Sequence, residues 1–268
     1  MSMELKKQPS TDIWDEERKA MYEVIVCSFN EPEEAVRKCI ESIRKAGGTP
    51  IQVTGVSPVG KARNVGLRLS KTDPVFFIDT DESVSKDYFR SMMDFFQKCT
   101  EDVGGIWSLH IPPQCNPTIL QRFVQRLLNY YQRSLSQDAE SIGCGGSCFK
   151  RKAIEGLLFD EDIRRGEDDL FCRKVKARGW KLRVAPVDLE HSAPKDLHDW
   201  IKSEIEGGIG YVQIGGSVRC SLQTLFCSFI RGTLLSFHYN DPTFFFLYPL
   251  RLVLRHVGVF KAFFALRV

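Results

Sequence analysis

A short, wholly apolar run that ends in two carboxylates limits the fold of this chain more than any other part of its sequence. Residues 74–78 (PVFFI) carry no polar side chain, and Asp79 and Asp81 follow within three positions. A strand without a polar face is covered on both sides, as in the parallel sheets of α/β proteins. We therefore predict a central strand here, with both aspartates at its carboxyl end.

Strand-like and helix-like segments alternate around this run. Predicted strands cover residues 22–27, 50–54, 103–111 and 181–185, and predicted helices cover residues 33–45, 67–70, 119–135 and 168–178. Short apolar runs alternating with amphipathic segments predict βαβ units, hence a parallel sheet with right-handed crossovers. Ligands of such sheets bind beyond the carboxyl ends of the strands, so Ser28, Gly55 and Asp79 are expected to converge on one crevice.

Composition and length narrow the function classes. The 268 residues suffice for one sizeable core with a small appendage, and the net charge of +3 is spread along the chain. Without a basic patch, no nucleic-acid partner is expected. Residues 1–20 are polar and lack the apolar core of a signal peptide, so we expect a lead-in followed by one domain over residues 21–218.

The nine cysteines are odd in number and have no paired spacing, which favours reduced thiols in a cytoplasmic setting over a disulfide framework. Cys144 and Cys148 are separated by three residues, but no second Cys or His pair stands nearby at zinc-ligand spacing. We therefore interpret the cysteines as small core residues.

The C-terminal segment, residues 219–268, is rich in Phe and Leu and is predicted to be helical. Basic residues interrupt it at Arg231, Arg251, Arg255 and Lys261, and no uninterrupted run reaches the ~18–20 residues of a membrane span. Two interpretations stay open. The segment packs as a pair of core helices, or its apolar face lies on the inner face of the cell membrane and brings the protein to a lipid-linked acceptor.

Asp79 and Asp81 carry the first candidate chemistry. Two carboxylates two positions apart repel each other unless a cation lies between them, and hard oxygen ligands suit Mg²⁺ or Mn²⁺ shared with substrate phosphates. The alternative is a solvated acidic turn.

A second acidic group, residues 166–169 (GEDD), opens a predicted helix. Acidic residues are favoured in a first helical turn by the helix dipole, which is the structural explanation. The functional one makes a carboxylate the general base for an acceptor hydroxyl, with Asp168 preferred over Asp169. His191 follows a predicted strand and is either an ordinary hydrogen-bonding residue or a metal ligand.

Taken together, these motifs resemble those of family 2 glycosyltransferases. The matching segments occur in the family's order over about residues 22–200. They are residues 24–32 (VIVCSFNEP), 60–66 (GKARNVG), 76–81 (FFIDTD), 145–151 (GGSCFKR), 159–160 (FD), 166–168 (GED) and His191.

The resemblance implies a GT-A fold, a mixed and mainly parallel sheet flanked by helices, and an inverting transfer from a nucleotide-sugar donor to a glycan or lipid-linked acceptor. It implies that Mn²⁺ or Mg²⁺ is held by Asp79, Asp81 and His191, and that Asp168 is the catalytic base. The donor-binding residues it implies are Cys27, Ser28, Phe29, Glu31, Arg63, Asp79, Thr80, Gly145, Gly146 and Glu167.

The sequence departs from the family pattern at two places. No carboxylate follows the second strand, where the family usually has an acidic turn that recognises the nucleotide base of the donor. In addition, Asp169 directly follows Asp168.

Two other functions are alternatives to the glycosyltransferase. A P-loop NTPase is suggested by residues 55–61 (GVSPVGK), but Ala62 stands where a Mg²⁺-binding hydroxyl is needed. A non-catalytic sugar-nucleotide or membrane-surface adaptor is the other alternative.

Overall fold

A computed structural model of the protein describes residues 22–135, 138–163 and 165–265, without the side chains of residues 220 and 221; the predicted lead-in lies outside this part of the chain. The strands are β1 Glu23–Ser28, β2 Thr49–Thr54, β3 Val75–Phe77, β4 Glu82–Ser83, β5 Val103–Ile111, β6 Ser147–Phe149 and β7 Lys181–His191. The helices are α1 Glu33–Lys45, α2 Val59–Leu69, α3 Tyr88–Lys98, α4 Ile119–Ser134, α5 Arg151–Ile154, α6 Glu167–Ala177, α7 Leu197–Gln213, α8 Val218–Phe226, α9 Ser228–Tyr239 and α10 Thr243–Ala265.

All seven strands form one sheet in the order β2-β1-β3-β6-β5-β7-β4. β1 is parallel to β2 and β3, and β5 is parallel to β7, so most of the paired residues are parallel. β6 is antiparallel to β3 and β5, and β4 is antiparallel to β7. The mixed, mainly parallel sheet that the resemblance implied is confirmed, and β4 and β6 are the strands that the sequence pattern did not predict.

Successive residues of β3 pack into different cores, as predicted for a strand covered on both faces. Phe76 lies with Ile40 and Phe89 beneath α1 and α3, whereas Phe77 lies with Phe171 beneath α6. Both phenylalanines are fully buried, and burial of each stabilises the sheet by roughly 1.5–3 kcal/mol. β3 is thereby fixed at the centre, and the residues that follow it emerge at the sheet's carboxyl edge.

Helix α1 has the predicted bounds, with Glu33 and Glu34 in its first turn and Arg44 and Lys45 in its last. This charge order suits the helix dipole. Two other predictions were wrong in extent. α2 begins at Val59 instead of residue 67, because Pro58 is its N-cap and both Gly60 and Gly66 lie within the helix. β7 continues past Pro186 to His191.

The C-terminal segment is helical, as predicted, and α8 begins at Val218. α10 packs on α7, and Phe244 and Tyr248 share a buried cluster with Phe123 and Trp200. Its 23 residues make it, in the part of the chain described, a helix long and apolar enough to cross a membrane by length and composition alone. The count of uninterrupted apolar residues had disfavoured any span because basic residues lie within this helix.

Candidate active site

A cleft of ≈ 590 Å³ lies where β1 and β3 end and α6 begins. Cys27 of β1, Asp79 and Asp81 after β3, and Asp168 of α6 all line it. The ends of β1 and β3 therefore meet at one site. Of the three residues expected to converge there, Asp79 lines the cleft, whereas Ser28 and Gly55 do not.

Asp79 is held in the cleft by a buried arginine. Arg63 Nη2 donates to Asp79 Oδ1 at 3.1 Å, and Arg63 Nη1 donates to Glu167 Oε1 at 2.5 Å. Arg63 and Glu167 are almost fully buried, whereas the Asp79 side chain is 40% exposed. The family resemblance implied a donor-binding role for Arg63; in the structure Arg63 connects the turn after β3 to the start of α6.

Asp81 and His191 form a pair at the edge of the cleft. His191 Nε2 lies 3.2 Å from Asp81 Oδ2, because β7 carries His191 directly opposite Glu82 of β4. Burial alone would raise the pKa of Asp81, but His191 outweighs it and lowers that pKa to about 2. Burial opposes a charge on the imidazole, yet Asp81 and then Asp79 raise the pKa of His191.

Asp168 lies in the first turn of α6, half-buried, on the wall of the same cleft. Burial raises its pKa to about 7, and the neighbouring carboxylates of Glu167 and Asp169 add to the effect, while Arg63 opposes it. A carboxylate whose pKa lies near neutrality can both take up and release a proton under physiological conditions, as a general base must. Asp169 lines the cleft beside it.

Glu82 and His110 form a buried pair next to Asp79, and neither was predicted from the sequence to belong to the site. The buried Glu82 accepts the Asp79 backbone N–H through Oε2 at 2.8 Å, and its Oε1 lies 2.8 Å from His110 Nε2. Burial, then Asp79 and Asp81, raises the pKa of Glu82, and burial, then His191, lowers the pKa of His110. The one available signal was the third acidic residue in the sequence Asp79-Thr-Asp-Glu82.

The other predicted donor-binding residues differ in whether they line the cleft or are buried beside it. Cys27, Glu31 and Thr80 line the cleft, and burial raises the pKa of the Cys27 thiol to about 12, so it stays protonated. Ser28 is buried, with its hydroxyl 3.1 Å from that of Thr54.

Phe29, Gly145 and Gly146 complete the predicted donor-binding set. Phe29 is exposed. Gly145 and Gly146 are buried, and a Cβ on Gly145 would lie 2.6 Å from Asp79 Oδ2. Gly145 therefore makes room for the Asp79 carboxylate.

The three predicted metal ligands partly fit a divalent cation. Within the described residues, no group of three or more His, Cys, Asp or Glu side chains is arranged to hold a metal ion. However, Asp79, Asp81 and His191 border one cavity, and the 3.2 Å between Asp81 Oδ2 and His191 Nε2 is close to the ~3 Å that separates adjacent ligands of an octahedral ion. The two carboxylates are ligands that suit Mg²⁺ or Mn²⁺, and the imidazole is a ligand that suits transition-metal ions.

Comparison with known proteins adds an independent line of observation. No protein-family model matches the chain. A mannosyltransferase from Pyrobaculum calidifontis, PcManGT, solved with GDP-Man and Mn²⁺, superposes with a TM-score of 0.61 at 14% identity over 90% of this chain and 87% of that one. The chain has the GT-A fold.

Two further proteins match a smaller part of this chain than PcManGT does. S. aureus TarS superposes with a TM-score of 0.48 at 14% identity, over 70% of this chain and 39% of that one. The pre-mycofactocin glycosyltransferase of Mycobacterium tuberculosis is 27% identical over 146 residues. That match covers 52% of this chain and 31% of the relative, so the chain spans about a third of that protein's length.

The GT-A topology argues against a P-loop site. β2, which precedes residues 55–61, is the edge strand, and β1 separates it from β3. Lys61 is exposed and does not line the cleft that contains Asp79. The lysine is therefore not placed to share a phosphate with that carboxylate.

Proposed function

We propose that this chain is a metal-dependent glycosyltransferase that transfers a sugar from a nucleotide-sugar donor to an acceptor hydroxyl with inversion. The observation that carries the proposal is that Asp79, Asp81 and Asp168 line one cleft at the carboxyl edge of a GT-A sheet. The two aspartates after β3 would hold the cation, and Asp168 would serve the acceptor.

The charge of the cleft supports a metal requirement. Eight carboxylates and four basic side chains line it. A nucleotide sugar carries two negative charges on its diphosphate, so this surface would repel the donor unless a cation lay between them. PcManGT, which shares the fold, was solved with a nucleotide sugar and Mn²⁺ together.

The proposed reaction is a single displacement. The acceptor oxygen attacks the anomeric carbon from the side opposite the diphosphate, its proton passes to an Asp168 carboxylate oxygen, and the bond from the anomeric carbon to the diphosphate oxygen breaks. A bound divalent cation would supply Lewis-acid stabilisation of the charge on the leaving diphosphate. Asp168 can fill its role because its pKa of about 7 leaves it partly ionised at neutral pH.

Thermal unfolding against a panel of nucleotide sugars, with and without Mn²⁺, tests this function. A donor that binds the folded state stabilises it by mass action, by about 2.7 kcal/mol at a hundredfold excess over Kd. We expect a Mn²⁺-dependent rise in Tm with one donor class, lost in Asp81→Ala, and Mn²⁺-dependent donor hydrolysis by the wild type. A rise that survives Asp81→Ala would contradict the metal role, and donor binding without any turnover would favour a non-catalytic adaptor.

The C-terminal helices support a lipid surface as a second partner. Arg251 and Arg255 of α10 turn inward and bind the buried Glu204 of α7 at 2.9 Å and 2.6 Å. The exposed residues of α10 are almost all apolar: Phe245, Phe246, Leu250, Val253, Val257, Phe260, Phe264 and Ala265, with Lys261 as the exception. A helix on a water-facing surface normally turns its charged residues outward and its apolar residues inward, and α10 has the reverse arrangement. An exposed apolar face of this kind is typical of contact with a membrane interface. It therefore favours a lipid-linked acceptor.

A further inference from the structure

Gln125 of α4 is fully buried and makes two hydrogen bonds that fix the orientation of its amide. Its Nε2 donates to the Ala193 carbonyl oxygen at 2.6 Å, and its Oε1 lies 3.2 Å from His191 Nδ1. A carbonyl oxygen can only accept, so the amide nitrogen must face Ala193 and the amide oxygen must face the imidazole.

The orientation of the amide determines the role of each imidazole nitrogen. An amide oxygen can only accept a hydrogen bond, so His191 Nδ1 must carry a proton. The other ring nitrogen, Nε2, is the one that lies 3.2 Å from Asp81 Oδ2. With Nδ1 engaged as the donor to Gln125, Nε2 is the ring nitrogen that faces Asp81 and is the one placed to bind a metal ion.

We propose that Gln125 is a positioning residue that holds His191 with Nδ1 as a hydrogen-bond donor and Nε2 directed to Asp81 as a ligand for a divalent cation. The proposal rests on the proposed function, since that function requires the cation. The role is separate from catalysis, because Gln125 reaches the site only through the imidazole.

The backbone after His191 is held by the same helix. Gln121, one turn before Gln125, donates through Nε2 to the Ser192 carbonyl oxygen at 2.6 Å. Two successive carbonyls after His191 are thus bound to amides of α4. On its other side the ring meets His110, with 5.0 Å between centroids. A shift of the imidazole away from Asp81 would break its hydrogen bond to Gln125 and its contact with His110.

Two substitutions separate the bond to His191 from the bond to Ala193. Gln125→Met keeps the approximate volume but removes both hydrogen bonds. Gln125→Glu loses the amide donor but keeps an oxygen that accepts from Nδ1, as in the carboxylate–histidine pairs that support metal ligands. Asn129→Ala is the matched control: this amide lies one turn further along α4 and donates to the His110 carbonyl oxygen at 3.1 Å, without touching His191.

The position of the proton can be measured without any activity assay. In ¹⁵N-labelled full-length protein, with the His191 signals identified by their loss in His191→Asn, we expect a slowly exchanging Nδ1 proton with and without Mg²⁺. The signal should persist in Gln125→Glu and Asn129→Ala and be lost from the slow-exchange spectrum of Gln125→Met. An unprotonated Nδ1 in the Mg²⁺-loaded wild type would overturn the proposal.

Binding of Mn²⁺ alone, measured from the free-ion electron paramagnetic resonance signal, tests the consequence. Loss of a residue that orients a metal-binding histidine typically costs 10–100-fold in metal affinity. We expect Kd for Mn²⁺ to rise about tenfold or more in Gln125→Met and to stay near the wild-type value in Gln125→Glu and Asn129→Ala. Equal Kd values in wild type and Gln125→Met would overturn the positioning role. A wild type that shows the Nδ1 proton but binds no Mn²⁺ would instead contradict the metal dependence of the proposed function.

Discussion

Two carboxylates in the cleft have their pKa values moved in opposite directions. The partner His191 holds the pKa of Asp81 at about 2, whereas burial and neighbouring carboxylates raise the pKa of Asp168 to about 7. Asp81 therefore stays ionised at any physiological pH, as a cation ligand must. Asp168 exchanges a proton in that range, and such a separation of two pKa values is the usual sign of distinct acid–base roles.

The pKa of Asp168 predicts the acid limb of the activity profile. If Asp168 accepts the acceptor proton, only its ionised form is competent, so kcat/KM should fall tenfold per pH unit below about 7. Initial rates across pH 5–9 at saturating Mn²⁺ would measure this limb. Asp168→Asn should lower kcat by about 10²–10⁴, and Asp169→Asn should keep the limb. An unchanged profile in Asp168→Asn would remove the base assignment.

Ionisation of Asp168 should raise the activity but lower the free energy of unfolding. Because its folded pKa of about 7 lies above the ordinary 3.8, the folded state binds more protons between these values, and stability falls as pH rises through that window. Asp168→Asn removes this cost, so we expect it to be more stable than wild type at pH 8 by on the order of 1–3 kcal/mol, and equal to it near pH 4. Urea unfolding at both pH values measures the difference. A variant less stable at pH 8 would show that the carboxylate is not held against its preferred charge.

The sequence alone placed Asp79 and Asp81 at the carboxyl edge of the sheet because they directly follow an apolar strand. Cys27, Asp79 and Asp81 line the cleft because strand ends meet at one edge of the sheet. Glu82, His110 and Gln125 were missed because their roles depend on pairings between distant segments, such as the register that sets His191 opposite Glu82. Gln125 and Gln132 are polar residues within the predicted helix 119–135, and no spacing in the sequence shows that both are buried.

At the scale of helices and strands, α10 is fixed to α7 by one buried carboxylate between two arginines. Burial opposes ionisation of Glu204, but Arg251 and Arg255 lower its pKa below the ordinary value. Removing one member of a buried ion pair leaves an uncompensated charge, so Glu204→Ala should destabilise the fold by about 3–5 kcal/mol at pH 7. Chemical denaturation measures this loss.

The pH dependence and a neighbouring glutamate supply the controls for Glu204. Since its folded pKa is lowered, its contribution is present above about pH 4.5 and is lost as pH falls through the folded value, so wild type and Glu204→Ala should converge in acid. Glu206, half-exposed and 4.0 Å from Arg165, should cost less than about 1 kcal/mol when changed to alanine. Equal losses for Glu204→Ala and Glu206→Ala would contradict the anchoring role.

The bounds of helices and strands were predicted well where a long segment keeps one helical or strand-like spacing of apolar residues. Helix α1 has the predicted bounds and β5 has the predicted bounds, because helical or strand periodicity alone specifies them. β4 and β6 contain two and three residues, too few for any period. β6 is also the strand that makes the centre of the sheet antiparallel, so the mixed character could be expected only from the family resemblance.

At the scale of the whole molecule, the apolar surface is unevenly placed. Apart from the neighbouring Tyr130 and Tyr131, large exposed apolar side chains before residue 219 are far apart in the sequence, whereas many are found together on α8, α9 and α10. Deleting these helices would expose the buried cluster of Phe123 and Trp200 that α10 covers. The membrane proposal is therefore better tested by substitutions at exposed positions than by truncation.

The triple variant Phe226→Ser, Phe237→Ser and Phe246→Ser is such a test. These side chains are 87%, 81% and 69% exposed, so the fold should tolerate the change. Each phenylalanine buried at an interface contributes up to roughly 1.5–3 kcal/mol, and sedimentation with vesicles of phosphatidylcholine and phosphatidylglycerol should fall at least tenfold. The control Leu69→Ser, Leu158→Ser and Leu197→Ser removes exposed apolar residues outside the C-terminal segment and should bind vesicles as wild type does. Equal vesicle binding by both variants would exclude α8–α10 as the membrane-contacting surface.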